Sequence, residues 1–257
     1  MRRIVIANRK GGVGKTTTVQ NIASAFALAG KKVFALDMDP QASLTTAWGV
    51  ARDRENTLDV LRGKASWQDI AVMVEPDSGN GGCVVLAPSS MQLAALPELF
   101  AKTSGRERLL KDALDDMEAA FDIVLIDSPP SLDLIAVNTY AAAEQVVITV
   151  QCEFYAMEGL SKVESDISKV RQQLNPDLAL LGILPTLFDK RKRLCREVLA
   201  TLEDGYGDAV LKPAIRDIVA LAEAPSYGQS IFMYAPKSYG ALDYAALADE
   251  LLQRMED

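Results

Sequence analysis

The chain has no histidine. Serine–histidine and cysteine–histidine nucleophile systems and imidazole metal sites are therefore excluded, leaving carboxylates, lysines and a hard divalent cation to carry any chemistry. Cysteine is scarce: Cys83, Cys152 and Cys195 are odd in number and far apart, which gives neither a disulfide framework nor a metal knuckle. No apolar run reaches the roughly 18 residues of a bilayer span. No unit repeats with a period of about 20–50 residues, and no Pro/Gly/Ser-rich linker divides the chain. Positive charge is also short. The formal net charge is −8, so contact with a polyanion needs a local basic patch rather than overall charge. The arginines at the start lead straight into an apolar run, unlike a cleaved leader, and the expected compartment is the cytoplasm.

What is present suits one α/β domain over 1–257: 257 residues, 49% of them hydrophobic. Short β-branched runs predict strands over 3–7, 32–37, 83–87, 121–127, 145–150 and 178–185. Helical spacing predicts helices over 17–29, 57–62, 66–72, 107–120, 160–174, 193–202 and 239–255, with a loop before 83 and an extended segment over 210–215. Strands alternating with helices point to a doubly wound, mostly parallel sheet with helices on both faces.

Between the first strand and the first helix stands Asn8-Arg9-Lys10-Gly11-Gly12-Val13-Gly14-Lys15-Thr16-Thr17. Strand, glycine-rich turn, helix is the setting that makes a glycine pattern a phosphate site. Gly11, Gly12 and Gly14 let the backbone wrap tightly, so that several N–H groups, those of Val13 and Thr17 among them, converge on one anion. Lys15 sets a positive charge against the β- and γ-phosphates of a nucleotide, and the Thr16 hydroxyl is placed for Mg²⁺. The usual pattern G-x-x-x-x-G-K-[ST] has glycine at position 9; here Arg9 stands there, followed by Lys10.

Two further junctions carry acids. Asp37-Met38-Asp39-Pro40-Gln41 puts an acidic pair where a strand becomes loop, the place where open parallel sheets bind ligands. Phe121-Asp122-Ile123-Val124-Leu125-Ile126-Asp127-Ser128-Pro129-Pro130 ends an apolar strand in an aspartate suited to hold Mg²⁺ through water, or alternatively to cap the next helix. Asp39 is the candidate for orienting the water that attacks ATP, against the alternative of an Asp-Pro turn former. Asp37 reads either as an outer Mg²⁺ group or as a structural strand end.

The form Lys10-Gly11-Gly12-Val13-Gly14-Lys15-Thr16-Thr17 resembles the deviant Walker A motif of the ParA/MinD family of P-loop ATPases. In the same order, Leu36-Asp37-Met38-Asp39-Pro40-Gln41-Ala42-Ser43 resembles its switch I and Asp122 to Pro130 its Walker B. Tyr155-Ala156-Met157-Glu158-Gly159-Leu160, Glu223-Ala224-Pro225-Ser226-Tyr227-Gly228 and Tyr234-Ala235-Pro236-Lys237-Ser238-Tyr239-Gly240 are similar to ParA members. The matches extend over nearly the whole chain. The resemblance implies slow, partner-stimulated, Mg²⁺-dependent ATP hydrolysis in an ATP-sandwich homodimer, with Lys10 reaching the partner's nucleotide. It also implies reversible, non-specific DNA binding on the nucleoid and partition of plasmid or chromosome copies with a ParB-type partner.

The same biochemistry could serve a protein cargo such as a carboxysome or chemotaxis cluster through an adaptor. A MinD-like membrane switch would want a basic amphipathic end, whereas 247–257 is acidic, so no membrane partner is expected. A reductase related to the nitrogenase iron protein would need paired cluster cysteines beside the switch segments, where none falls. No room for a helix-turn-helix domain lies ahead of Arg3, which favours the short form without operator recognition.

For DNA, Lys190, Arg191, Lys192, Arg193 and Arg196 place five cations in seven positions. Such a run is ordinarily a solvated helix start, but its position matches the basic segment through which the family touches the DNA backbone. One departure stands nearby. Where the family often has arginines, in a form like R-N-V-R-L-S, this chain has Arg216-Asp217-Ile218-Val219-Ala220-Leu221-Ala222, with aspartate and alanine in place of two cations.

Overall fold

The computed structural model describes residues 1–77, 79–117 and 120–256. Seven strands, β1 (Arg2–Ala7), β2 (Lys32–Asp37), β3 (Val72–Glu75), β4 (Cys83–Ala87), β5 (Ile123–Asp127), β6 (Gln145–Gln151) and β7 (Ala179–Thr186), form one sheet in the order β3-β4-β2-β5-β1-β6-β7. All neighbours pair in parallel except β3 with β4. Among the described residues, five helices have nine residues or more: α1 (Lys15–Leu28), α2 (Leu134–Ala142), α3 (Ala156–Gln173), α4 (Arg193–Tyr206) and α5 (Tyr239–Glu256).

The central strands are apolar over most of their length because both faces are covered. In β1, Ile4 and Ile6 join Val19, Ile22 and Phe26 of α1 and Tyr244, Leu247 and Leu251 of α5. The alternate residues Val5 and Ala7 join Ile135 of α2, Leu160 and Val163 of α3 and Val198 of α4 on the other face. Residues 4–7 have no solvent exposure, and each such valine or isoleucine contributes about 1.5–3 kcal/mol of burial. The expected doubly wound, mostly parallel sheet is the observed one.

Several predicted boundaries shift. The predicted helix over 66–72 is a single turn, Trp67–Ile70, closed by a capping box in which Ser66 and Asp69 exchange hydrogen bonds. Val72-Met73-Val74-Glu75 then alternates as an antiparallel edge strand where a loop was expected, with Met73 turned outward and a bulge before Glu75. The predicted helix over 107–120 begins with a 3₁₀ turn at Arg106–Arg108 and is α-helical over Leu109–Asp115; the rest of the prediction reaches positions 118 and 119, outside the described residues. α3 starts at Ala156 rather than 160. The segment 210–215, expected to be extended, runs beside β7: Val210 bridges Ile183, and the Leu211 and Ile215 N–H groups donate to the Ile183 and Pro185 carbonyls, each at 2.8 Å. The helix α2 was not anticipated. It is apolar nearly all round and so lacks the two-sided pattern that marks a surface helix.

Candidate active site

Parallel pairing brings the carboxyl ends of β1, β2 and β5 together, and every acid singled out above lies there. Asp37 and Asp127 are direct cross-strand partners, and Ile6 of β1 pairs with Asp127 on the other side. The Met38 N–H donates to the Asp127 carbonyl at 3.0 Å, tying the two strand ends.

The loop 8–14 leads from β1 into α1. Gly12 and Gly14 have φ of 74° and 84°, which side-chain-bearing residues rarely adopt. Val13 is buried, and its carbonyl accepts from the Thr186 hydroxyl at 2.9 Å. Helix α1 opens with neither a side-chain cap nor an acidic residue in its first turn. Its first N–H groups and the positive end of its dipole therefore stand ready for an anion.

Lys15 is buried, and its ammonium donates to the Lys10 carbonyl at 3.2 Å. Burial pushes its pKa down, while Asp127 and Asp39 oppose that shift. The Thr16 hydroxyl donates to Asp127 Oδ2 at 2.7 Å, whereas Asp127 Oδ1 is buried with no partner. Burial, and then the charge of Asp37, hold the Asp127 carboxyl well above the usual carboxylate range. A buried carboxylate oxygen left bare beside a threonine hydroxyl and a lysine fits a cation that completes the set. Hard oxygen donors suit Mg²⁺. Among the described residues no cluster of three or more His, Cys, Asp or Glu makes a cage by itself, which accords with a cation shared between protein and phosphate.

Asp37 is fully engaged. Its Oδ2 accepts from the Thr45 N–H (2.8 Å) and hydroxyl (2.7 Å), and its Oδ1 accepts from the Asp39 N–H (3.1 Å). Burial raises its pKa to about 6. Asp39 lies half-buried in the loop after β2; its Oδ1 accepts from the Gln41 N–H at 2.9 Å and its carbonyl from the Ser89 hydroxyl at 2.9 Å.

Lys10 points away from this group: its ammonium pairs with Glu153 and donates to Gln151 Oε1 at 3.3 Å. The basic run begins four residues beyond the end of β7 and is exposed. Arg191 pairs with Asp189, Lys192 with Asp217 at 3.7 Å and Arg193 with Glu197 at 2.6 Å. Arg196 donates to the Lys190 carbonyl at 2.6 Å.

The site also uses residues that the sequence analysis passed over. Thr45 and Ser89 hold the acidic loop. A cavity of about 110 Å³ adjoins Gly14 and Thr17, lined by Thr186, Leu187, Arg216, Ile218 and Tyr244 among others. The signal for it lay in Pro185-Thr186 at the end of β7, since the carboxyl ends of neighbouring strands share a crevice.

The family model described as an AAA domain matches residues 1–180. The chromosome-partitioning ATPase Soj of Thermus thermophilus is 40% identical over 260 residues, covering 100% of this chain and 98% of that protein. The chromosome partitioning protein ParA of Caulobacter vibrioides is 37% identical over 261 residues, covering 100% and 96%. A Mycobacterium smegmatis structure described as cobyrinic acid a,c-diamide synthase with bound ADP and magnesium superposes with a TM-score of 0.85 at 36% identity, covering 100% and 96%. Loop, acids and full-length similarity agree, and the chain belongs to the ParA/Soj family of P-loop partition ATPases.

Proposed function

We propose that this chain is an Mg²⁺-dependent ATPase that pairs with a second copy on ATP, binds DNA without sequence preference in that state, and lets go on hydrolysis. Its setting is chromosome partition, as the names of its relatives suggest, or partition of plasmid copies, in either case with a ParB-type partner. The observation that carries the reading is the uncapped α1 N-terminus facing Lys15 and the Thr16–Asp127 pair with its bare Oδ1.

The loop 10–17 wraps the phosphates with its N–H groups, and Lys15 exchanges the Lys10 carbonyl for phosphate oxygens. When bound, Mg²⁺ would supply charge neutralisation at the phosphates, and Thr16 and Asp127 would hold it. Asp39 orients the attacking water, with its backbone already anchored by Asp37 and Ser89. Asp37 anchors this loop through three hydrogen bonds to its carboxylate. The cavity beside Thr17 receives the base. Lys10 leaves Glu153 to reach the partner's nucleotide.

Lys190, Arg191, Lys192, Arg193 and Arg196 contact DNA phosphates. Exposed ion pairs are worth about 0–1 kcal/mol, so a dense row of phosphates displaces the exposed Asp217 and Glu197 readily.

Sedimentation of the full chain tests the switch. A dimer with ATP and Mg²⁺, a monomer with ADP, and a monomer in both for Lys10→Ala are expected; a monomer in every state would overturn the reading. The synthase described for the Mycobacterium smegmatis structure suggests a second class, an ATP-driven ligase. A ligase would release phosphate only with an acid substrate present, whereas a partition ATPase turns over on ATP alone and faster with DNA.

A further inference from the structure

Position 9, where the usual phosphate-loop pattern has glycine, carries Arg9, and the reaction above makes no use of it. Its guanidinium is held as a two-pronged fork: Nε donates to Asp166 Oδ2 and Nη2 to Asp166 Oδ1. The partners are unequally placed. The Arg9 side chain is 37% exposed and that of Asp166, midway along α3, is 1% exposed. A carboxylate this deep persists as a charge only where a paired cation offsets its lost hydration.

The pair sits within a longer seam. The Asn8 side-chain amide donates to the Thr149 carbonyl, and the Lys10 ammonium bonds Glu153 and Gln151. Three consecutive loop residues thus grip one unit, the strand β6 and the helix α3 behind it. Inside the loop, the Lys10 N–H donates to Asn8 Oδ1 at 2.8 Å and the Lys10 carbonyl receives the Lys15 ammonium at 3.2 Å. Arg9 therefore lies between the two residues whose groups shape the loop, one of which docks the phosphate-binding lysine.

We propose that Arg9 and Asp166 are a positioning pair that fixes the main chain from Asn8 to Lys10 and so the place from which Lys15 meets the nucleotide. The inference rests on the reading of Lys15 as a phosphate ligand. Arg9 and Asp166 act through Lys10 and Lys15 rather than on the reacting atoms. A planar fork bound at two oxygens fixes direction as well as distance, which a single ammonium contact does not.

Binding of a fluorescent ADP analogue to the full chain, with a thermal melt of each variant, tests this. Asp166→Asn keeps the shape of the buried group, removes its charge, and leaves the part-exposed Arg9 to be hydrated. Its melt should stay near the parent's while affinity falls about tenfold, as expected when a binding group is misplaced by a fraction of an ångström. Arg9→Ala strands a buried charge and should lose both affinity and roughly 5 °C or more in Tm. The double variant Arg9→Ala with Asp166→Asn should regain the Tm and remain weak in binding, and Arg9→Lys should bind between parent and Arg9→Ala.

Recovery of affinity together with Tm in the double variant would mean that Arg9 only neutralises Asp166, and would overturn the proposal. Parent-like binding by Asp166→Asn, while Lys15→Ala is defective, would overturn the pairing alone. Parent-like binding by Lys15→Ala would overturn the phosphate reading and the pairing with it.

Discussion

Asp39→Ala should separate nucleotide binding from turnover. The Asp39 side chain makes one hydrogen bond within the described residues, from the Gln41 N–H to Oδ1 at 2.9 Å. The bonds that fix the loop use its main chain, with the N–H donating to Asp37 at 3.1 Å and the carbonyl accepting from Ser89 at 2.9 Å. Both survive in alanine. The stability lost is thus one exposed hydrogen bond, about 0.5–1.5 kcal/mol, or about 1–6 °C in Tm for a chain of this size.

Removing a carboxylate that orients the attacking water costs far more, about 10²–10⁴ in rate, which is about 2.7–5.4 kcal/mol of barrier at 1.36 kcal/mol per tenfold. Nucleotide affinity should hold or rise, because the lost charge lies near Lys15 and repels phosphate. Phosphate release at saturating ATP and Mg²⁺, a nucleotide titration and a melt in one buffer read all three quantities. Turnover within about threefold of the parent, in a folded and nucleotide-binding variant, would refute the role and leave Asp39 as a turn former.

Thr16→Ala deletes the hydrogen bond to Asp127 Oδ2 and leaves a fully buried carboxylate bare at both oxygens. Stability should fall by about 1–3 kcal/mol, and the Mg²⁺ concentration at half-maximal turnover should rise. ATP with Mg²⁺ at about a hundred times its Kd should add about 2.7 kcal/mol of stability, some 5–10 °C; a chelator should abolish turnover and most of that shift in the same melt. Gly182→Ala affects the fold alone. Its Cβ would stand 2.5 Å from Leu211 Cγ in the core beneath β7, so about 1–3 kcal/mol of stability should go, with nucleotide affinity per folded molecule unchanged in titration.

The loop and the acids of the candidate site were legible in the sequence because their signals are local. Asn8 to Thr17 carry their own turn, anion and cation chemistry, and Asp127 follows an apolar strand that can only be central. The hold of Asp37 on Thr45, eight residues on, was not legible because it needs the chain to fold back onto Oδ2. The hold of Glu153 on Lys10 and of Asp166 on Arg9 spans over 140 residues in each case, a separation that no local pattern encodes. The edge strand β3 was missed since four residues with one face in solvent give too little alternation to register. α2 was missed for the opposite reason, being apolar on all sides.

DNA binding against salt, using non-specific duplex with ATP, ADP or no nucleotide, tests the central claim most directly. The account predicts binding with ATP alone, falling with salt at a slope of about −0.9 per phosphate contacted. Arg193→Ala should lower that slope by about 0.9 if the basic run ahead of and within α4 carries the contacts. Equal binding in all three nucleotide states, or none in any while ATP still drives pairing, would contradict it.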